Sequence, residues 1–312
     1  MAHADSRRVV IAALAGNVAI AFCKLGAAYA SRSTATLAEA VHSLADSGNQ
    51  ALLLVGMQLA AKPANERYPF GRSSERYFWP FVVALLLFSV GGAFAVFEGV
   101  VHLLYPATAP ATRGWSYAVL GVSLVFEAMS FRVAIFEFRK LAAGLPLRRA
   151  LLEARDPTIP LVVAEDATAM GGLVIALVAV AASGVTGKDY WDPIGSIVIG
   201  ILLCGVALVL AWITHGLLIG EGATPQDRAR VLELARQVDG VEAITQLLTL
   251  HLGPEVVLLA MKVAFRPTLT VLEVEAVTNQ VEEKIRATMP QMRKIFIEAD
   301  SRGDRRGITG TP

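Results

Sequence analysis

The sequence has few charges, and this shortage already narrows the class of protein. Only 18% of its 312 residues are Asp, Glu, Lys or Arg, whereas 54% are hydrophobic and the mean hydropathy is +0.54. Because soluble domains contain about a quarter charged residues, this composition points to a membrane protein. The net charge of +1 argues neither for nor against nucleic-acid binding, and we expect no nucleic acid among the partners.

Cysteine is equally scarce. Cys23 and Cys204 are the two cysteines of the chain, and both lie in apolar stretches. Two distant cysteines exclude a disulfide framework and a Cys-x-x-Cys metal pair. We therefore predict that both are small buried hydrophobic residues. Low-complexity tracts and internal repeats are also lacking.

Long apolar segments are what the sequence has in abundance. Each of six segments is close to the ~20 residues that a helix needs to cross a bilayer. The fourth is interrupted by Glu127 and Arg132, which we expect to face other helices or the membrane boundary. The six segments are Val9–Ala30, Ala35–Leu59, Phe78–Leu104, Tyr117–Phe136, Pro160–Ser183 and Pro193–His215.

Basic residues are concentrated on one side of these spans. Arg7 and Arg8 precede the first span, and the loops after spans two and four are rich in Lys and Arg, whereas the opposite loops hold only Arg32, Arg113 and Lys188. By the positive-inside rule, both termini are predicted to be cytoplasmic. We read the first apolar stretch as a retained span and not as a signal peptide.

The pattern changes after the six spans, so residues 1–220 are predicted to form the transmembrane domain. A helix over Pro225–Val238 is followed by two predicted strands, a second helix and a short third strand. This order predicts a cytoplasmic C-terminal α+β domain over residues 221–300, and residues 301–312 are expected to form a flexible tail. The later elements are Ala243–Leu252, Val256–Phe265, Val271–Met289 and Lys294–Glu298.

The second span contains His42 and Asp46, whose i, i+4 spacing places both side chains on one face of a helix. Ionisable groups at membrane depth are costly and usually face an interior path. An imidazole nitrogen with a carboxylate oxygen suits Zn²⁺ and similar divalent ions. Glu165 and Asp166 form a second acidic place near the start of the fifth span. These two places predict a metal path through the membrane.

Laid out in this way, the chain resembles the cation diffusion facilitator family of divalent-metal/proton antiporters over nearly its whole length. The branch that includes the animal mitochondrial zinc transporter is the most similar. The resemblance implies a homodimer with six transmembrane helices and a ferredoxin-like cytoplasmic domain. Three stretches carry it: Ser33–Asp46, Pro63–Gly71, and Glu165–Gly171 with Glu153–Pro157 before it.

The sequence departs from the family pattern at the fifth span. Members usually have a metal-binding His or Asp four residues before the shared Asp166, but here that position is Val162. Glu165 is about 100° around the helix from Asp166, so it could substitute only if the helix were distorted or rotated. The resemblance therefore implies His42, Asp46 and Asp166 as metal ligands, with water or Glu165 completing the set.

Two further sites of the family are depleted in this chain. Asn65 and Tyr68 replace the Asp and His of the interfacial site, so we expect that site to be absent. In the C-terminal domain, Glu298 and Asp300 match the last ligand pair, with Glu in place of His. His251 is predicted to be a surface residue on a turn, and we do not predict a full zinc site there.

These features predict proton-coupled efflux of divalent transition metal, most favourably zinc, by alternating access through a His/Asp intramembrane site. Zn²⁺ would be the substrate and H⁺ the counter-substrate, without a prosthetic group, in a bacterial inner membrane. The alternatives are transport of Mn, Fe, Co or Ni, a non-transporting membrane metal sensor or scaffold, and a membrane-embedded metalloenzyme with Glu165 as its base. A secondary transporter is favoured over an enzyme because the sequence has no Ser/His or His-Glu-x-x-His constellation.

Overall fold

The computed structural model describes residues 2–31, 34–105, 113–141, 150, 154, 156–188 and 190–300. The chain divides into two compact units, Met1–His215 and Gly216–Pro312. The predicted tail, residues 301–312, lies outside the described residues.

The described residues of the first unit form six long helices, and each predicted span lies within one of them. In the part of the chain that the structure describes, three of the helices, α3, α5 and α6, are long and apolar enough to cross a membrane by length and composition. The prediction of an α-helical membrane domain is confirmed. The helices are α1 (Ala2–Ser31), α2 (Thr34–Ala60), α3 (Glu75–Leu104, π-helical over Leu87–Ala93), α4 (Arg113–Leu141), α5 (Thr158–Thr186) and α6 (Trp191–Ile219).

Polarity in this unit is distributed as a bilayer requires. Large apolar side chains such as Phe97, Val178 and Trp212 are exposed on the outside of the unit. A buried apolar cluster contains residues of every helix from α2 through α6, including Leu53 and Val162. Buried polar residues are concentrated on α2, α4 and α5. Because lipid satisfies no polar group, such residues must find their partners inside the protein.

Helices α3 and α6 approach each other so closely that their backbone atoms are in contact. A Cβ added to Gly92 would lie 2.5 Å from Cys204 Sγ and 2.9 Å from Cys204 N. A Cβ added to Gly200 would lie 2.7 Å from both Gly92 O and Val96 N. Small residues at a crossing allow this approach between membrane helices.

The cysteine prediction is wrong for Cys23, which is exposed, and Cys204 is only partly buried. Cys23 lies on the outer surface of α1, where an apolar thiol is as suited to lipid as to a protein core. Cys204 lies at the α3–α6 crossing, with Sγ 3.9 Å from the Phe88 carbonyl of the π-helical segment.

An ion pair joins the beginning of α3 to the residues before α5. Arg76, only 3% exposed, donates to Asp156. The other carboxylate oxygen of Asp156 accepts a hydrogen bond from the backbone N–H of Thr158, at 3.2 Å, at the first turn of α5. Asp156 therefore connects the first residue of α5 to Arg76 near the start of α3.

The loop between α2 and α3 is closed by Asn65 and Tyr68. Their backbones exchange two hydrogen bonds, and Asn65 Oδ1 also accepts from the Tyr68 N–H at 2.9 Å. The guanidinium groups of Arg67 and Arg72 lie 5.6 and 4.7 Å from the centre of the Tyr68 ring. The two positions that replace family ligands thus build a turn and a cation–π stack.

The second unit is a small α+β domain with a three-stranded sheet in the order β1-β2-β3. Its elements are α7 (Pro225–Arg236), β1 (Val241–Gly253), β2 (Val256–Phe265), α8 (Val271–Thr288) and β3 (Lys294–Ala299). The strands β1 and β2 are antiparallel, whereas β2 and β3 are parallel and α8 connects them. This is the predicted ferredoxin-like order of elements.

Capping side chains fix where both helices of this domain begin. Helix α7 starts at Pro225, and the side chain of the preceding Thr224 accepts a hydrogen bond from the Asp227 N–H. Thr270 and Glu273 form a capping box at α8, and the two hydrogen bonds from Thr270 hold the pKa of Glu273 below its usual range.

One face of the sheet is apolar and covered, and the opposite face carries an exposed apolar row. On one face Leu247, Met261 and Ile297 stand side by side in register and belong to the cluster that α7 and α8 cover. On the other face Leu248, Ala260 and Phe296 form a row, in which Leu248 is 57% and Phe296 54% exposed. We call these three residues the outer row.

The prediction that His251 is a surface residue on a turn is wrong. The strand β1 continues to Gly253, and His251 is 8% exposed within it. His251 pairs with Val257, whereas Glu298 pairs with Lys262, which is five residues further along β2 or about 17 Å away. Glu298 lies 3.3 Å from Lys262 Nζ, and Asp300 accepts from Thr245 at 2.6 Å. These acids therefore serve cross-strand pairs, far from His251.

Candidate metal path in the transmembrane domain

Helix α2 places a run of polar side chains inside the first unit. Asp46 is 7% exposed, and Asn49 and Gln50 on the next turn are 9% and 0% exposed. The backbone of His42 lies in the same helix one turn before Asp46, but its side chain lies outside the described residues. The α2 half of the predicted site is therefore represented by Asp46.

Helix α5 contributes two consecutive buried carboxylates, Glu165 and Asp166, which are 5% and 2% exposed. Glu165 Oε1 accepts a hydrogen bond from Asn49 Nδ2 of α2 at 2.8 Å. Asp166 Oδ2 accepts from Ser130 Oγ of α4 at 3.0 Å. Successive residues of a helix point about 100° apart, so a regular α5 presents one acid to each neighbouring helix.

This arrangement bears on the ligand set that the sequence suggested. Glu165, and not Asp166, is hydrogen-bonded to α2, the helix that carries His42 and Asp46. No distortion of α5 is needed for this, because the two acids face different neighbours. Val162, at the usual ligand position, is fully buried in the apolar cluster.

The buried acids act on one another electrostatically. The carboxylate of Glu165 is close enough to those of Asp46, Asp166 and Glu127 for electrostatic repulsion. The same holds for Asp166 with Glu127 and Asp46. Among the described residues, no lysine or arginine forms an ion pair with Glu165 or Asp166. Two buried acids without a basic partner among these residues, close enough to two further carboxylates to interact electrostatically, are suited to bind protons or a cation.

Glu165 keeps one oxygen available. Its Oε1 is engaged by Asn49, whereas Oε2 is buried and has no hydrogen-bond partner among the described residues. A buried carboxylate oxygen without a donor is costly in a folded protein. The arrangement suits a carboxylate that is aligned by one oxygen and offers the other to a ligand.

The sequence reasoning did not include Glu127 in the site. Glu127 is 5% exposed on α4, with Ser123 at 1% one turn before it and Ser130, the donor to Asp166, one turn after it. The spacing of four and three residues places all three on one face of α4. This stripe of polar residues at helical spacing is the signal in the sequence that identifies Glu127 as facing the interior.

The described side chains alone do not form a complete metal centre. Among them, no group of three or more His, Cys, Asp or Glu residues is arranged to hold a metal ion. The side chain of His42 is not part of that set.

Comparison with known proteins identifies the family. The family described as the cation efflux transmembrane domain matches residues 10–219, and that described as the cation efflux protein, cytoplasmic domain, matches residues 223–302. This chain belongs to the cation efflux family. The predicted family resemblance is thereby confirmed.

Two named relatives illustrate the similarity. Metal tolerance protein C4 of Arabidopsis thaliana is 35% identical over 251 residues, which are 80% of this chain and 55% of the relative. The mitochondrial proton-coupled zinc antiporter SLC30A9 of Xenopus laevis is 32% identical over 284 residues, which are 88% of this chain and 51% of the relative. The chain thus spans about half the length of these curated relatives.

Proposed function

We propose that this member of the cation efflux family exports divalent transition metal, with Zn²⁺ as the favoured substrate, in exchange for protons. The observation that carries the proposal is the gathering of buried carboxylates from α2, α4 and α5, with Glu165 hydrogen-bonded to Asn49 of α2. The names of relatives such as the proton-coupled zinc antiporter of Xenopus laevis support the choice of ion.

In this proposal His42, Asp46, Glu165 and Asp166 provide the metal ligands. Metal requires neutral imidazole and deprotonated carboxylates, so binding and proton release are linked. Asn49 aligns Glu165, and Ser130 aligns Asp166. When the site faces the other side of the membrane, protons compete for the same groups and the metal leaves. Rocking of helices around a fixed site would provide alternating access.

The proposal includes an orientation and an assembly. Both termini lie in the cytoplasm, as the distribution of Lys and Arg in the loops predicts, and the membrane is a bacterial inner membrane. Two copies associate through their C-terminal domains, and the outer row Leu248, Ala260 and Phe296 offers an exposed apolar surface for this contact.

Metal-driven proton flux in proteoliposomes tests the function directly. Purified protein would be exposed to Zn²⁺, Mn²⁺, Co²⁺ and Ni²⁺ under imposed pH gradients. Wild type is expected to move Zn²⁺ against protons, and Asp46→Asn is expected to abolish the flux because it removes a ligand charge at constant volume.

The matched control is Asp239→Asn, since Asp239 is 90% exposed and pairs with Arg266 in the second unit. Its flux should equal that of the wild type. Normal transport by Asp46→Asn would refute the site. Metal binding without any transport by wild type would favour a sensor or scaffold.

A further inference from the structure

Gln50 is a buried amide that has no hydrogen-bond partner in the part of the chain that the structure describes. The residue is 0% exposed, and among the described residues neither Oε1 nor Nε2 finds a donor or acceptor. Its neighbour Asn49 uses its own amide to hold Glu165 at 2.8 Å. The two adjacent amides of α2 therefore have different roles, and only that of Asn49 is explained by contacts within the protein.

The position of Gln50 on α2 places it one helical turn from Asp46. Both residues lie on the same face of α2, and Leu53 follows at the next turn of that face. Leu53 is 1% exposed and belongs to the apolar cluster with Leu161 and Val162 of α5. Gln50 thus stands between the acidic region and the apolar layer of the interior.

Retaining this amide costs stability. A buried amide without partners loses its bonds to water and gains none in return. Leucine has a similar size and would extend the apolar cluster at Leu53 without that cost. Proteins that keep a buried polar group without a hydrogen bond usually do so at a functional position.

We propose that Gln50 is an additional ligand for the transported cation, located on the cytoplasmic side of Asp46. The inference rests on the proposed function, since it assumes metal as substrate and both termini in the cytoplasm. The carbonyl oxygen Oε1 coordinates the divalent ion on its way between the cytoplasm and the carboxylates. An amide oxygen is a hard but neutral ligand, so it binds a partly dehydrated divalent ion without trapping it.

The substitution Gln50→Leu tests this role in the full-length protein. Three quantities would be measured: thermal unfolding in detergent, Zn²⁺ affinity by calorimetry, and Zn²⁺ flux in proteoliposomes. The expected result is a higher Tm together with Zn²⁺ binding weaker by about tenfold and slower flux. A residue with only a structural role would not separate stability from binding in this direction.

Two further variants complete the experiment. Gln50→Glu keeps an oxygen at the same reach and should retain Zn²⁺ affinity within about threefold of the wild type or exceed it. Ser47→Ala is the matched control, because Ser47 Oγ bonds to the Ser43 carbonyl of its own helix at 2.8 Å. It should change neither affinity nor flux.

Unchanged Zn²⁺ affinity in Gln50→Leu would overturn the inference, as would weaker binding accompanied by a lower Tm and not rescued by Gln50→Glu. Failure of the proposed function has a different signature, since wild type itself would then move no metal in the same vesicles. The calorimetric comparison would still decide whether Gln50 is a ligand.

Discussion

At the scale of single residues, Glu165 and Asp166 show how two adjacent acids serve two different helices. Asn49 of α2 holds the first, and Ser130 of α4 holds the second. Of these two acids, Glu165 is the one that has a buried oxygen without a donor among the described residues. The two acids should therefore not be equivalent in binding metal.

We expect Glu165→Gln to weaken Zn²⁺ binding more than Asp166→Asn, by about tenfold or more. Both changes remove one charge and keep the volume, so the comparison isolates the position of the carboxylate. Calorimetric titration of the purified variants with Zn²⁺ provides the measurement. A larger loss for Asp166→Asn would assign the principal role to that residue, as the family pattern has it.

The burial of Asp46, Glu165 and Asp166 could be predicted from sequence, because ionisable groups in an apolar span have few other places to go. Which helix each α5 acid faces could not, since it depends on the rotation of α5 against α2 and α4. Glu127, by contrast, is predictable from the helical spacing of Ser123, Glu127 and Ser130. The prediction for His251 is wrong because β1 includes this residue and continues to Gly253, so that the turn is confined to Pro254 and Glu255.

At the scale of elements, the Arg76–Asp156 pair connects α3 with the start of α5. Arg76 is 3% exposed and Asp156 26%. Removing one partner of such a pair is destabilising mainly because the remaining charge loses its counter-ion in a low dielectric.

Arg76→Met should destabilise the protein by about 3 kcal/mol, at the lower end for a buried pair because Asp156 is partly exposed. Arg230→Met is the control, since the side chains of Arg230 and its partner Glu233 are 50% and 55% exposed. That exposed pair should contribute at most about 1 kcal/mol. Denaturant or thermal unfolding in detergent would compare them, and equal losses would contradict the structural importance of the Arg76 pair.

Helix and strand positions were largely predictable at this scale. All six long helices and all five elements of the C-terminal domain appear in the predicted order, because apolar periodicity and caps such as Thr224 and Thr270 are local signals. The π-helical segment Leu87–Ala93 left no such signal.

At the scale of the whole molecule, the proposed dimer depends on the outer row of the sheet. Leu248→Asp places a charge in that exposed apolar row, at its β1 end and next to Ala260 in register. We expect the variant to be monomeric where wild type is dimeric, because burying an unpaired charge at an interface is costly. Light scattering of the detergent-solubilised protein would measure the mass.

Leu272→Asp offers a matched control for that experiment, since Leu272 is 77% exposed on α8 and lies outside the sheet. It should leave the mass unchanged. A dimeric Leu248→Asp variant would move the proposed contact elsewhere on the molecule.

The crossing of α3 and α6 also has a genetic consequence. Every single-nucleotide change of a glycine codon that alters the amino acid adds at least one carbon. At Gly92 and Gly200 that carbon would lie 2.5 to 2.9 Å from atoms of the opposite helix. We therefore expect only synonymous point mutations to be tolerated at these two codons. Their nucleotide sequence can vary, whereas the glycine that they encode cannot.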